Sequence, residues 1–182
     1  IPGLESGCAD RLLSRGMAVR CAAVSSIPHA PRTIMPRPLV FMMGRSPAIL
    51  PVDRQYARNH MWGAIEEGAV RFGLSAYAVR LLGDVKHLEW SIEAGRTVEA
   101  GETIGYIEAS KAASDLFAPA AGRIEEFHPA VLAKPSLVNS NLYDAGWLFR
   151  LSGTGQGLLS PEEYLALVEA AWPLAQRLLK GP

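Results

Sequence analysis

Lys111 stands between two glycines, Gly101 ten residues before it and Gly122 eleven residues after it. Similar short segments follow them, Glu102-Thr103-Ile104 and Arg123-Ile124-Glu125. Two arms of nearly equal length therefore meet at the lysine, and the spacing predicts a tight hairpin with Lys111 at its tip. The tip residues Ala109, Ser110, Ala112, Ala113 and Ser114 are all small. Nothing local can cover the ammonium, so the side chain is expected to project into solvent. One chemistry open to a lysine is Schiff-base formation, which needs a desolvated amine with a lowered pKa. A tip of alanines and serines is the wrong environment for that. The other reading is a plain solvated surface cation, as most lysines are.

Other reactive residues form no constellation. His60, His87 and His128 fall in separate segments without metal-ligand spacing. Cys8 and Cys21 are too few for a disulfide scaffold or a structural zinc site, and they leave the redox compartment open. The chain has no phosphate-binding loop, dinucleotide fingerprint or serine elbow.

The elements that must position Lys111 are short apolar runs cut by glycine. Ala69 to Leu74 alternates as a half-buried strand does. Ser75 can N-cap a short helix through Leu82 that ends at Gly83. Val85 to Ile92 alternates again, Ile104 to Ile107 and Leu116-Phe117 read as strands, and Ile124 to Phe127 reads as another. Pro129 to Ala133 fits one or two helical turns stopped by Pro135. Gly146 to Leu151 reads as a last strand, with Trp147 expected in the core. Strands at this spacing suggest a small sandwich or barrel. Ser160-Pro161-Glu162-Glu163 has the order of a capping box, and Tyr164, Leu165, Val168 and Trp172 then share a helical face. Pro173 is expected to kink or break that helix, with Leu174, Leu178 and Leu179 continuing as a docked tail.

The letters around the lysine go further. Glu108-Ala109-Ser110-Lys111-Ala112-Ala113-Ser114-Asp115-Leu116-Phe117-Ala118-Pro119 resembles the lipoylation segment of glycine cleavage system H proteins. Leu82-Gly83-Asp84-Val85, Val98-Glu99-Ala100-Gly101-Glu102, Leu137-Val138-Asn139, Tyr143, Gly146-Trp147-Leu148 and Ser160-Pro161-Glu162-Glu163-Tyr164 resemble family segments in the same order. The resemblance spans about residues 56–168. His60-Met61-Trp62 departs from the family's usual His-Glu-Trp, Ser110 replaces a usual valine, His128 a common asparagine, and Trp90 a usual leucine. These departures bear on partner recognition more than on modification.

The resemblance implies a mainly β fold: a flattened barrel-sandwich hybrid of the lipoyl and biotinyl type, with two small sheets, short helices and a C-terminal helix from about residue 160. It implies lipoic acid attached covalently to Lys111. Glu108, Ser110 and Ala112 would serve recognition by a lipoate-attaching enzyme, with Gly101 and Gly122 at the hairpin turns. The implied protein is not an enzyme but a carrier monomer. Its partners would be glycine decarboxylase, the aminomethyltransferase and dihydrolipoyl dehydrogenase. A lipoate-relay protein or a carrier for another lipoate-dependent system shares that class. Glu108 also reads as a strand-end charge that keeps an edge soluble, and an unmodified interaction module remains a different class. A biotin carrier fits less well, because methionines usually flank that lysine. Asp115 reads as turn chemistry, since an exposed pair with Lys111 contributes little.

Charge separates the chain into two parts. It has 18 basic and 18 acidic residues in 182, a net charge of zero. Residues 1–52 hold six arginines against Glu5 and Asp10, leaving +4, and seven prolines; residues 53–182 hold 12 basic and 16 acidic side chains, leaving −4. Composition of the first kind does not readily bury enough surface to offset the entropy of ordering it. Residues 1–49 are expected to be a disordered tail and 50–182 the carrier domain. The tail reads as a transit-like segment or as upstream sequence with the start at Met35 or Met43. The expected compartment is the bacterial cytoplasm, or the mitochondrial matrix if the tail is a transit peptide. An acidic domain without a long apolar run argues against nucleic acid and membrane as partners.

Overall fold

The structure, a computed structural model, describes residues 37–180, with side chains described to Arg177. The short alternating runs form strands β1 (Leu39–Met43), β2 (Ser46–Leu50), β3 (Gln55–Tyr56), β4 (Met61–Glu66), β5 (Ala69–Leu74) and β6 (Val85–Trp90). Strands β7 (Thr97–Val98), β8 (Thr103–Ala109), β9 (Ala113–Phe117), β10 (Gly122–Phe127) and β11 (Phe149–Ser152) follow. The helices are α1 (Ala76–Leu82), α2 (Pro129–Ala133), α3 (Leu137–Ser140) and α4 (Pro161–Lys180). A six-stranded sheet runs in the order β3-β4-β5-β11-β10-β7, and a three-stranded sheet runs β6-β8-β9. All pairings in both are antiparallel. This is the expected mainly β fold with short helices and a C-terminal helix.

The two sheets close on one apolar core. Phe72 and Phe149 from the larger sheet stack with ring centroids 5.5 Å apart, and Ile104, Ile107 and Leu88 of the smaller sheet join the same cluster. Strand β8 buries Ile107 and Ala109 while Tyr106 and Glu108 face out, the period-two pattern of a half-buried strand. No described helix is long and apolar enough to cross a membrane.

The expected boundary at residue 49 is corrected. Strands β1 and β2 pair from Leu39↔Leu50 to Met43↔Ser46, forming a third sheet of their own. Phe41, Met43, Ala48 and Leu50 are buried on its inner face. The Phe41 ring lies 5.9 Å from Tyr77 of α1 and 5.8 Å from Trp172 of α4. Arginine and proline content averaged over the whole stretch hid a short alternating pattern that a neighbouring helix could cover. Residues 1–36 of the expected tail lie outside the described residues.

Two smaller expectations also change. Helix α4 runs through Pro173 without a break. Proline cannot donate to the Glu169 carbonyl, and both residues lie on the exposed side of the helix. Leu174 is 60% exposed rather than docked; the side chains of Leu178 and Leu179 lie outside those described. The last strand starts at Phe149, so Leu148 and Phe149 fill the core and Trp147 stays half-buried. Trp147 instead stacks on His128 at 4.0 Å.

The capping box is present in both directions. Ser160 N–H donates to the Glu163 carboxylate at 2.8 Å, and Glu163 N–H donates to Ser160 Oγ at 3.2 Å. This fixes the start of α4 and so the placement of Tyr164, which reaches back toward α1.

Candidate functional site

Lys111 occupies the tip of the β8–β9 hairpin. Ala109 N–H donates to the Ala112 carbonyl at 2.9 Å, enclosing Ser110 and Lys111 as the turn. Glu108 pairs with Ala113 at the root of the turn. The tip does not stand alone. Lys111 N–H donates to Leu82 O at 2.9 Å, and Ser110 N–H donates to Asp84 O at 2.8 Å. Ser110 Oγ in turn accepts from Asp84 N–H at 2.9 Å. The hairpin tip is thereby clamped to the segment that joins α1 to β6.

That segment is held from its other side as well. Asn139 Oδ1 accepts from Val85 N–H at 2.8 Å, and its Nδ2 donates to Gly83 O at 3.0 Å. Gly83 caps α1 at φ +88°, and its own N–H donates to Val79 O at 2.8 Å. A Cβ at Gly83 would overlap Ser110 Oγ and lie 3.0 Å from Lys111 Cγ. The clamp thus needs a residue without a side chain between the helix end and the tip.

Lys111 is exposed but does not project freely, which corrects the expectation from spacing. Its stem crosses Gly83, and Nζ donates to Arg80 O at 3.4 Å. That carbonyl belongs to the last turn of α1, where unpaired carbonyls favour a cation. Asp115 sits in register with Tyr106 and makes no ion pair with Lys111.

The other expected residues divide by role. Glu108 is exposed, and its carboxylate has no partner among the described residues. Ala112 is exposed beside the lysine. Ser110 is a clamp residue as well as a neighbour of the lysine. Gly101 makes the turn before β8 at φ +82° and donates to Ala118 O at 2.9 Å. Gly122 is not a turn residue. It begins β10 opposite Val98, where a Cβ would come within 2.5 Å of Ser152 O. Close strand approach, not a left-handed turn, demands glycine there.

Support for α1 comes from residues that spacing alone did not single out. Tyr164 OH is 2.8 Å from Ser75 Oγ and 3.0 Å from His60 Nδ1. Ser75 Oγ accepts from Ala78 N–H at 3.3 Å, capping the helix. Burial lowers the His60 pKa, so the ring is held neutral. Tyr143 OH donates to Ile49 O at 2.6 Å and accepts from Ala76 N–H at 2.9 Å, tying β2 to the helix start. Burial pushes the Tyr143 hydroxyl up to about 12. A capping serine in the sequence signalled part of this network; the distant tyrosines gave no local signal.

Two clefts flank α1. One, of about 520 Å³, is bordered by Lys111, Gly83, Asn139, Met43 and Trp172. The other, of about 400 Å³, is lined by Asn59, Met61, Leu82 and Asp115, among others. His60 borders the second, His87 is exposed beside Glu89, and His128 lies against Trp147, so the three do not converge. No group of three or more metal-binding side chains occurs among the described residues.

Comparison with known proteins adds a family to this geometry. Residues 54–171 match the family described as Glycine cleavage H-protein. The chain belongs to that family. It is 36% identical over 125 residues to the glycine cleavage system H protein of Alcanivorax borkumensis, covering 66% of this chain and 97% of that one. A Thermus thermophilus protein of the same name is 41% identical over 125 residues, with 66% and 97% covered. The crystal structure of a glycine cleavage system H protein from Mycobacterium marinum superposes with a TM-score of 0.58 at 37% identity, covering 64% of this chain and 97% of that chain. Hairpin β1–β2 and Trp172 lie outside the stretch matched to the family.

Proposed function

We propose that this H-protein-family chain is a lipoyl carrier of the glycine cleavage system, with lipoate in amide linkage to Lys111 Nζ. The observation that carries the reading is the exposed Lys111 held at a rigid two-residue tip. The residues fit the group: the tip is small-sided, the amine is exposed, and a cleft of about 520 Å³ opens beside it. When bound, lipoate supplies a reducible disulfide that carries a one-carbon amino unit.

This chain's residues do the positioning. Ser110, Gly83 and Asn139 fix the tip against α1, so the attachment point does not wander when a partner docks. Ala112 and Ala113 leave room for a deep partner site to close around the lysine. Glu108 offers a carboxylate with no partner among the described residues, which suits recognition by the lipoate-attaching enzyme. Gly101 makes the turn that leads into the hairpin, and Gly122 lets β10 pass close to Ser152. The chain is not itself a catalyst in this reading; the chemistry belongs to cofactor and partners. Those partners are glycine decarboxylase, the aminomethyltransferase and dihydrolipoyl dehydrogenase, and a cytoplasmic location belongs to the same reading, supported by relatives from bacteria.

The test is glycine–bicarbonate exchange with glycine decarboxylase and fully lipoylated protein. Exchange above that of the Lys111→Ala variant is expected. No exchange from fully lipoylated protein rejects the glycine cleavage assignment.

A further inference from the structure

We propose that the β1–β2 hairpin is a docking edge for an extended, acid-flanked segment of a partner protein, which adds to β1 as a third strand. The hairpin lies outside the family match, and the inference does not depend on lipoylation of Lys111.

The two edges of the hairpin differ. Met42 pairs with Pro47, and Val40 with Ile49. Proline has no N–H, so within a strand it sits where that position faces away from the ladder. Alternation then points the N–H and C=O of Val40 and Met42 away from β2, along the outer edge of β1. The β2 edge is closed: Pro47 has no donor, and Ile49 O accepts from Tyr143 OH at 2.6 Å. Among the described residues, Val40 and Met42 make no backbone hydrogen bond outside the hairpin. Strand β1 also lacks the devices that blunt an edge, having no charge, no proline and no bulge in its pairing with β2. Its outer face is apolar, with Val40 47%, Met42 52% and Ile49 40% exposed.

Charge decides the occupant. Arg37 precedes the strand and Arg45 stands in the turn, both exposed, with no acidic residue between positions 37 and 50. A second copy pairing antiparallel about Phe41 would set Arg37 against Arg45 of that copy at both ends, and like charges directly opposite destabilise a strand pair. Three exposed apolar side chains also fall short of the roughly 800 Å² per partner that a stable dimer needs. An incoming strand with alternating apolar residues and an acid at each end meets the apolar face and both cations. Met43 and Ser46, at the turn end, border the same cleft as Lys111. A protein engaging the lysine tip therefore has this edge within reach.

The test uses full-length protein and a synthetic peptide about nine residues long, matching the eight positions from Arg37 to Arg45. The peptide has valine at alternate positions and aspartate at both ends, and a lysine-ended peptide is the control. Wild type is expected to bind the aspartate-ended peptide about tenfold more tightly, with amide shifts and slowed hydrogen exchange at Val40 and Met42. Met42→Pro removes an outward N–H without touching the ladder and should weaken binding about tenfold. Arg45→Glu should reverse the preference between the peptides, and it decides the matter if Met42→Pro fails to fold. Equal binding of the two peptides, or shifts only away from β1, would overturn the proposal. So would Val40 and Met42 amides already protected in the free protein: a monomeric mass would then assign the edge to this chain's own residues, and a dimeric mass to a second copy. None of these outcomes bears on lipoylation of Lys111, which intact mass reads separately.

Discussion

Replacing Gly83 with alanine probes the clamp that holds the lysine tip. The residue sits at φ +88° and ψ −152°, a region nearly closed to side-chain-bearing residues, at a cost of about 1–3 kcal/mol. The new Cβ would overlap Ser110 Oγ, displacing the hydroxyl from Asp84 N–H. Losing that hydrogen bond adds about 0.5–1.5 kcal/mol. Together these give a destabilisation of about 1.5–4.5 kcal/mol, measured by urea unfolding. The steric part depends on Ser110, so the cycle Gly83→Ala, Ser110→Ala and the double variant should show coupling of at least about 0.5 kcal/mol. The double variant should be more stable than simple addition allows. Gly83→Ala within about 0.5 kcal/mol of wild type, or strict additivity in the cycle, would refute the clamp geometry.

Other expectations follow from the same structure. Phe41→Ala removes a buried ring packed on Tyr77 and Trp172 and should cost about 3 kcal/mol or more in denaturant unfolding; a neutral result would mean the β1–β2 hairpin is not part of the core. Tyr143→Phe leaves Ile49 O and Ala76 N–H without their hydroxyl partner; a loss of about 1–3 kcal/mol and faster hydrogen exchange in β1 and β2 are expected. His60 is held neutral by burial, with its pKa lowered from 6.5. The folded state then binds the proton less readily than the unfolded chain, so this contribution is intact above pH 6.5. It falls as pH drops below that, by up to about 1.4 kcal/mol per pH unit, until the folded pKa is passed. His60→Asn tolerates the left-handed backbone at φ +66° and should flatten that dependence; an unchanged slope would assign it elsewhere.

Much of this molecule could be read from short-range sequence signals. Glycine spacing placed Lys111 on a hairpin tip, Ser75 announced α1, and Ser160 to Glu163 announced α4, because caps and turns are written within a few residues. What sequence left unread depends on distance. Asn139 and Tyr143 act across more than 50 residues on Val85 and Ile49, and no local pattern records such partners. The β1–β2 hairpin was obscured because its two strands are stabilised by α1 and α4 rather than by their own composition. Glycine is ambiguous in a sequence: it serves a left-handed turn at Gly101 and a close strand contact at Gly122. The contact of Lys111 with Arg80 O leaves no local trace either, because it is made by the end of a helix far from it in sequence.

The central claim is that Lys111 is the point of attachment for lipoate. Full-length protein is incubated with lipoate, ATP and a lipoate-attaching enzyme, and its intact mass is compared with that of Lys111→Arg. A gain of one lipoyl group in the wild type, mapped to the Lys111 peptide and absent from the variant, is the expected result. An unmodified wild type, or a lipoyl group on Lys86, Lys134 or Lys180, would contradict the account.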